Sequence, residues 1–210
     1  MILVGQYDSP FVRRVAIALH HYGLPFERRV LSVFRDFDAL LAIHPAGKVP
    51  ALIMDGETLV DSRAIIDILD GEAPAGRRLA PPPGPARRRV LTIEAVGITL
   101  AEKVYERGIE RTRRAPGTSD PAWCARLDRQ VDAIGTWLDA RLEADWFEGP
   151  FTRADLAVAV AVQYRDRVLP DAPRPPRLDA HRRRCEALEA FARVPDARDE
   201  ALASGWRAPD

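Results

Sequence analysis

Short apolar runs alternate with helix-spaced stripes through the first third of the chain, and helical spacing alone fills the rest. Ile2-Leu3-Val4 reads as a strand, and between Phe11 and Tyr22 the residues Val12, Val15, Ala16 and Leu19 share one helical face. Gly23 followed by Pro25 closes that helix. From Phe26 to Leu31, Phe26, Arg28 and Val30 alternate with Glu27, Arg29 and Leu31, which predicts a second strand. Phe37 to Ile43 is a short helix. Ala51–Met54 and Glu57–Val60 flank Asp55-Gly56, a dipeptide suited to the primed turn of a hairpin. Asp61 to Leu69 ends the unit as a helix. The order β-α-β-α-β-β-α implies a mixed sheet with helices packed on it.

Gly71 to Pro85 breaks the pattern with five of the chain's 18 prolines. Beyond it, Val90, Ile93, Gly97, Leu100 and Val104 form one stripe, and Trp123, Leu127, Val131, Ile134, Leu138 and Leu142 another. Leu156 to Val162 is apolar on every side, as expected of a helix at the centre of a bundle, and a last helix is predicted from Leu178 to Phe191. The chain thus reads as an α/β domain over residues 1–75 and an all-helical domain over 86–210, joined by a Pro/Gly linker at 76–85.

Composition narrows the classes of function. Acidic and basic residues balance at 31 each, which gives no overall field for nucleic acid or an anionic membrane. The runs Arg87–Arg89, Arg111–Arg114 and Arg182–Arg184 read as solvated helix faces beside acids. The two cysteines, Cys124 and Cys185, are far apart and sit among apolar residues, so they read as buried thiols with no disulfide framework and no metal site. The N-terminus lacks the basic and apolar regions of a signal peptide. No apolar run approaches the roughly 20 residues of a membrane span. The expectation is a soluble, cytoplasmic protein.

Three places carry candidate chemistry. Pro50 stands where the strand Ala51–Met54 begins, and a proline there belongs to a strand start or a special turn. If the Val49–Pro50 bond is cis, a state the sequence leaves open, the turn presents the backbone N–H and C=O of Val49 to an extended peptide. Asp61-Ser62 opens a helix and supplies N–H groups and a hydroxyl, a carboxylate cradle. Ser9, the natural N-cap before Pro10, sets a hydroxyl at the positive end of the first helix. A thiol there would be lowered from its ordinary value of about 8.5. A backbone clamp beside a carboxylate cradle suits a small peptide such as glutathione.

Four segments in order, Ser9-Pro10-Phe11-Val12-Arg13-Arg14-Val15, His44 to Leu52, Asp61-Ser62-Arg63-Ala64-Ile65 and Phe151-Thr152-Arg153-Ala154-Asp155-Leu156, resemble the cytosolic glutathione transferases of serine type over essentially the whole chain. The resemblance implies a thioredoxin-like N-terminal domain, an all-helical C-terminal domain and a homodimer. It implies Ser9 as the thiol-activating hydroxyl, with Tyr7 as the rival, since other classes use a tyrosine at the end of the first strand. It implies that Val49 beside Pro50 pairs with the cysteinyl unit and that Asp61 and Ser62 hold the γ-glutamyl amine and carboxylate. Lys48 would reach the glycyl carboxylate, and Arg63 would assist by charge or at the dimer interface. The electrophile would lie near Glu102, Tyr105, Glu106, Gly108 and Ile109, with Trp206 from the tail. Thr152 and Asp155 read as a structural capping box. Asp61 stands where many members carry Glu, and His44 where many carry Asn. His44, ahead of Pro45, is expected to be extended and structural. The implied activity is conjugation of glutathione to a small hydrophobic electrophile, with dehalogenation, isomerisation and peroxide reduction as related reactions. A non-catalytic binding module is the rival reading.

Overall fold

The computed structural model describes residues 1–196, and within them the chain separates into two compact units. The first comprises Met1–Arg78 together with the segment from Leu188; the second runs from Leu79 to Ala187.

The first unit holds β1 (Ile2–Val4), α1 (Pro10–Tyr22), β2 (Glu27–Arg29), α2 (Phe37–Ile43), β3 (Ala51–Met54), β4 (Glu57–Val60) and α3 (Ser62–Glu72). The sheet order is β2-β1-β3-β4, with β1 parallel to β2 and both other pairs antiparallel. This is the thioredoxin-like arrangement. β2 is shorter than the alternation of Phe26–Leu31 suggests: it is an edge strand whose three residues are all exposed, and β1 offers only three partners. At the hairpin, Asp55 and Gly56 have φ of 50° and 82°, the two positive values a primed turn requires.

Helix α1 is buried nearly all round. Its N-cap is Ser9, Pro10 holds the first position, and Gly23 closes it at φ 76° with Leu24 N–H donating to the Leu19 carbonyl at 2.9 Å. Gly5, at φ 131°, lets two parts of the unit meet: a Cβ there would lie 2.5 Å from Val12 Cγ2 and 3.0 Å from Val49 Cβ. α3 runs three residues past Leu69 because its last turn is anchored, the Tyr22 hydroxyl donating to Asp70 Oδ1 at 3.0 Å. The expected helix from Leu178 to Phe191 is two pieces, α7 (Pro176–Glu186) and α8 (Glu189–Ala192). The segment from Leu188 belongs to the first unit rather than to the helical one: Arg13 Nε donates to the Val194 carbonyl at 3.0 Å, and its guanidinium lies over the Phe191 ring.

The second unit contains α4 (Pro85–Thr112), α5 (Pro121–Arg141), α6 (Arg153–Val168) and α7. The stretch before α4 is docked within it, since Leu79 is buried and its carbonyl accepts from Arg153 N–H at 3.0 Å. α6 is buried on every side from Arg153 to Val162, and a Cβ on Gly97 of α4 would come within 3.1 Å of the Val158 nitrogen, so the two helices cross in close contact. Trp123 departs from the predicted stripe. It is exposed, with the Arg126 guanidinium over its ring, because it lies in the first turn of α5, before the packed part of the helix begins at Leu127. Arg89 pairs with Glu148, Arg114 with Glu110 and Arg184 with Asp145, so acids meet members of all three arginine runs.

The cysteines also diverge. Cys185 is fully buried, and burial together with Asp155 and Glu186 pushes its thiol well above the usual range, whereas Cys124 is only half-buried. An aromatic disulfide reagent is therefore expected to titrate one thiol, Cys124, in the native protein and the second only after denaturation. Rapid reaction of both in buffer would contradict this burial. No helix among the described residues is long and apolar enough to cross a membrane.

Candidate active site

The first unit gathers eight of the residues singled out in the sequence onto the loop after β1, the loop before β3, and the start of α3. Ser9 accepts from Val12 N–H through Oγ at 3.4 Å, a long capping bond. That bond uses the hydroxyl as acceptor, so its proton stays available to a group at the helix end. Tyr7, the rival hydroxyl, is 7% exposed, and the Arg28 guanidinium lies 3.4 Å from its ring centroid. Ser9 is the more open of the two.

The Val49–Pro50 peptide is cis. β3 begins at Ala51, so Val49 stands outside the ladder, with its side chain against Gly5. The turn that leads to it explains His44. That residue ends α2 at φ −156° and ψ 136°, extended as the following proline demands, and its Nδ1 accepts from Ala46 N–H at 3.1 Å. Gly47 then turns at φ 55°, where a Cβ would meet Phe37 Cε2 at 2.7 Å.

Asp61 caps α3 in an unusual conformation, φ 70°, with Oδ1 accepting from Arg63 N–H at 2.9 Å. A left-handed non-glycine residue costs about 1–3 kcal/mol and persists where the surroundings hold it. Its other oxygen, Oδ2, lies 3.7 Å from Lys48 Nζ. Lys48 and Asp61, expected to grip opposite ends of a tripeptide, therefore face each other. Both are about half exposed, and such a pair contributes about 1 kcal/mol or less, so ligand groups can compete for either partner. Ser62 is buried, and its Oγ accepts from Arg14 Nη1 at 3.1 Å. Arg63 is exposed. Arg14 was not among the sequence candidates. The available signal was a pair of cations, Arg13-Arg14, in a helix otherwise apolar on its buried faces.

The proposed electrophile residues lie on α4. Glu102, Tyr105, Glu106 and Ile109 recur at three- and four-residue spacing and share one face. Tyr105 is exposed, though partial desolvation pushes its phenol above the usual value against the pull of Arg113. Glu106 is paired with Lys103 at 2.5 Å. Gly108 does not join them: it is buried, and a Cβ there would lie 3.0 Å from Val168 Cγ1, so it serves helix packing. Trp206 lies outside the described residues. Among the described residues no group of three or more His, Cys, Asp or Glu side chains is placed to hold a metal ion.

At the start of α6, Thr152 and Asp155 form a complete capping box. Asp155 Oδ2 accepts from Thr152 N–H and Oγ1 at 2.8 Å each, and Oδ1 from Phe147 N–H and His181 Nε2 at 3.0 Å each. A carboxylate only accepts, which places the His181 proton on Nε2.

Residues 3–82 match the family described as glutathione S-transferase, N-terminal domain. The chain is similar to the uncharacterized GST-like protein YibF of Escherichia coli strain K12, at 31% identity over 175 residues that cover 78% of this chain and 81% of that protein. It is 28% identical over 217 aligned positions to a maleylpyruvate isomerase of a Ralstonia species, covering 94% and 97% of the two chains. A glutathione S-transferase of Methylobacterium radiotolerans JCM 2831, crystallised with glutathione sulfonate, matches with a TM-score of 0.86 at 27% identity, over 94% of this chain and 95% of its own.

Proposed function

The chain belongs to the glutathione S-transferase family, and from that premise we propose that it binds glutathione in the first unit and activates the thiol with Ser9 for transfer to a small hydrophobic electrophile. The observation that carries the reading is the chain of contacts within one unit: Gly5 brings the start of α1, capped by Ser9, against Val49 beside cis Pro50, Lys48 faces Asp61, and Arg14 of α1 bonds Ser62. In this reading the Val49 backbone pairs with the cysteinyl unit and directs the sulfur to the N-terminus of α1. The Ser9 hydroxyl donates to the thiolate, and the positive helix end adds to that stabilisation. The Ser62 hydroxyl and the first turn of α3 hold the γ-glutamyl carboxylate. Asp61 takes the amine, Lys48 the glycyl carboxylate, and Arg63 adds positive charge. The thiolate then attacks an electrophilic carbon: a C–S bond forms and a leaving group departs with its electron pair. The α4 face of Glu102, Tyr105 and Ile109 offers candidate contacts for a hydrophobic electrophile, and the enzyme is a homodimer.

A second reading is favoured by the similarity to a maleylpyruvate isomerase over nearly the whole chain. There the same thiolate adds to a carbon–carbon double bond and leaves again, so that glutathione is regenerated.

Calorimetric titration with glutathione, followed by conjugation to an aryl halide, tests the proposal. Binding with conjugation is the expected result. Binding with turnover only of a cis-enedioic acid would select the isomerase. Absence of binding at millimolar glutathione would overturn both and leave an interaction module.

A further inference from the structure

We propose that Arg14 is a positioning residue for the ligand: it occupies one lone pair of the Ser62 hydroxyl, so that the hydroxyl's single proton is directed at the ligand's γ-glutamyl carboxylate. The inference rests on the reading that glutathione binds at the start of α3.

The geometry requires this direction of bonding. A guanidinium has five N–H donors and no acceptor, so across the 3.1 Å contact Arg14 Nη1 donates and Ser62 Oγ accepts. Among the described residues, Arg14 is the hydroxyl's partner. Both side chains are buried, at 2% and 4% exposure, so the bond is held away from competing water. Ser62 is the first residue of α3, where Arg63 N–H is already taken by Asp61. With that lone pair held, the Ser62 proton is restricted to the two remaining positions, and an anion arriving at this helix end meets a donor backed by a cation that has been brought out of water along with it. A hydroxyl that accepts from a charged donor is also the stronger donor, because hydrogen bonds in a chain polarise one another.

Arg14 also links the two ends of the site. It lies on α1, five residues after Ser9, so one rigid helix carries the thiol-activating hydroxyl at its N-terminus and the group that sets the carboxylate hydroxyl in its second turn. The separation between Ser9 and the group that sets the Ser62 hydroxyl is thereby fixed by helix geometry rather than by loops. A residue that acts this way governs glutathione binding and leaves the chemical step largely alone, so its loss is read in KM more than in kcat.

The test uses two ligands, glutathione and its analogue lacking the α-carboxylate of the γ-glutamyl unit, titrated calorimetrically into the full chain. Their affinity ratio is taken within one sample and does not depend on how stable a variant is. Arg14→Met is expected to weaken glutathione about five- to tenfold and to shrink the ratio by the same factor, while Arg14→Lys, which keeps a cation and a donor, restores most of it. Should Arg14→Met fail to fold, Arg14→Gln is read in its place with the same expectation. Ser62→Ala is expected to shrink the ratio equally, and adding Arg14→Met to Ser62→Ala to cause no further loss. A parent-like ratio in the Arg14 variants, or losses that multiply in the double variant, would overturn the role of Arg14 as distinct from a strut between α1 and α3. A parent-like ratio in Ser62→Ala would instead overturn the glutathione reading of α3 itself.

Discussion

Asp155→Ala is expected to lower the unfolding free energy by about 3–5 kcal/mol, a large share of the 5–15 kcal/mol typical of a domain. Asp155 and His181 are 0% exposed, and the carboxylate takes up the Thr152 N–H, the Thr152 hydroxyl, the Phe147 N–H and the His181 Nε2–H. Alanine leaves these donors without an acceptor in a dry interior, and each such group costs about 1–3 kcal/mol before the protein relaxes. The loss also reaches beyond a helix cap. His181 sits on α7, with the Trp146 and Phe147 rings edge-on around it, so Asp155 ties α7 and the segment before α6 to the start of α6. Thr152→Ala removes only part of a capping box and is expected to cost about 1 kcal/mol. Urea unfolding followed by circular dichroism separates the two. A cost for Asp155→Ala no larger than that of Thr152→Ala would mean that the links to Phe147 and His181 contribute nothing.

Those links illustrate what the sequence does and does not carry. The Thr152–Asp155 box is local, a three-residue spacing with a known hydrogen-bond pattern, and could be read directly. The bond from Asp155 to His181 spans 26 residues and leaves no trace in spacing. The same holds for the start of α7, whose Pro175 cap has no side-chain acceptor; its Leu178 N–H is taken instead by Asp139 Oδ1 of α5 at 3.0 Å. Local chemistry also fixes the Asp55-Gly56 turn, the Ser9-Pro10 helix start and the Gly23 stop. Where long-range packing decides, the pattern misleads. Arg13 and Arg14 belong by hydropathy on a wet surface, yet both lie at 1–2% exposure, with acceptors from distant parts of the chain, Val194 O and Ser62 Oγ, among their partners. The break between α7 and α8 has no glycine or proline to announce it; it falls where the chain passes from the second unit to the first, with Phe191 and Val194 buried. In the site, the motif positions could be named from the sequence, but the cis state of Val49–Pro50, the facing of Lys48 and Asp61, and the partner of Ser62 all required the fold.

Ser9→Ala is expected to reduce kcat/KM at pH 7 by about 10- to 100-fold while leaving glutathione affinity within about threefold of the parent. The Ser9 oxygen accepts only a long bond from Val12 N–H, so its proton can be given to a sulfur at the end of α1, where the helix dipole also favours negative charge. Together these are expected to lower a bound thiol by about one to two units from its ordinary value of about 8.5, and each unit is a tenfold change in thiolate at neutral pH. Alanine removes the donor and keeps the helix end, so the thiol rises and less of it is ionised at pH 7. The sign gives a signature that a merely structural loss lacks. The deficit should narrow as pH climbs past the parent's ionisation and should nearly close once the variant's thiol also ionises, at about pH 9. Losing the cap bond has a separate and smaller effect, about 1 kcal/mol of stability, which thermal unfolding reads independently of rate. Tyr7→Phe supplies the contrast. The Tyr7 ring is buried beneath Arg28, and removing its hydroxyl while keeping the ring is expected to leave the pH profile where it was. A Ser9→Ala enzyme with the parent's pH profile, beside a Tyr7→Phe enzyme whose profile moves to higher pH, would transfer the activating role from Ser9 to Tyr7. A deficit in Ser9→Ala that stays constant from pH 6 to pH 9 would remove thiolate stabilisation from the role of Ser9 and leave it as a helix cap alone.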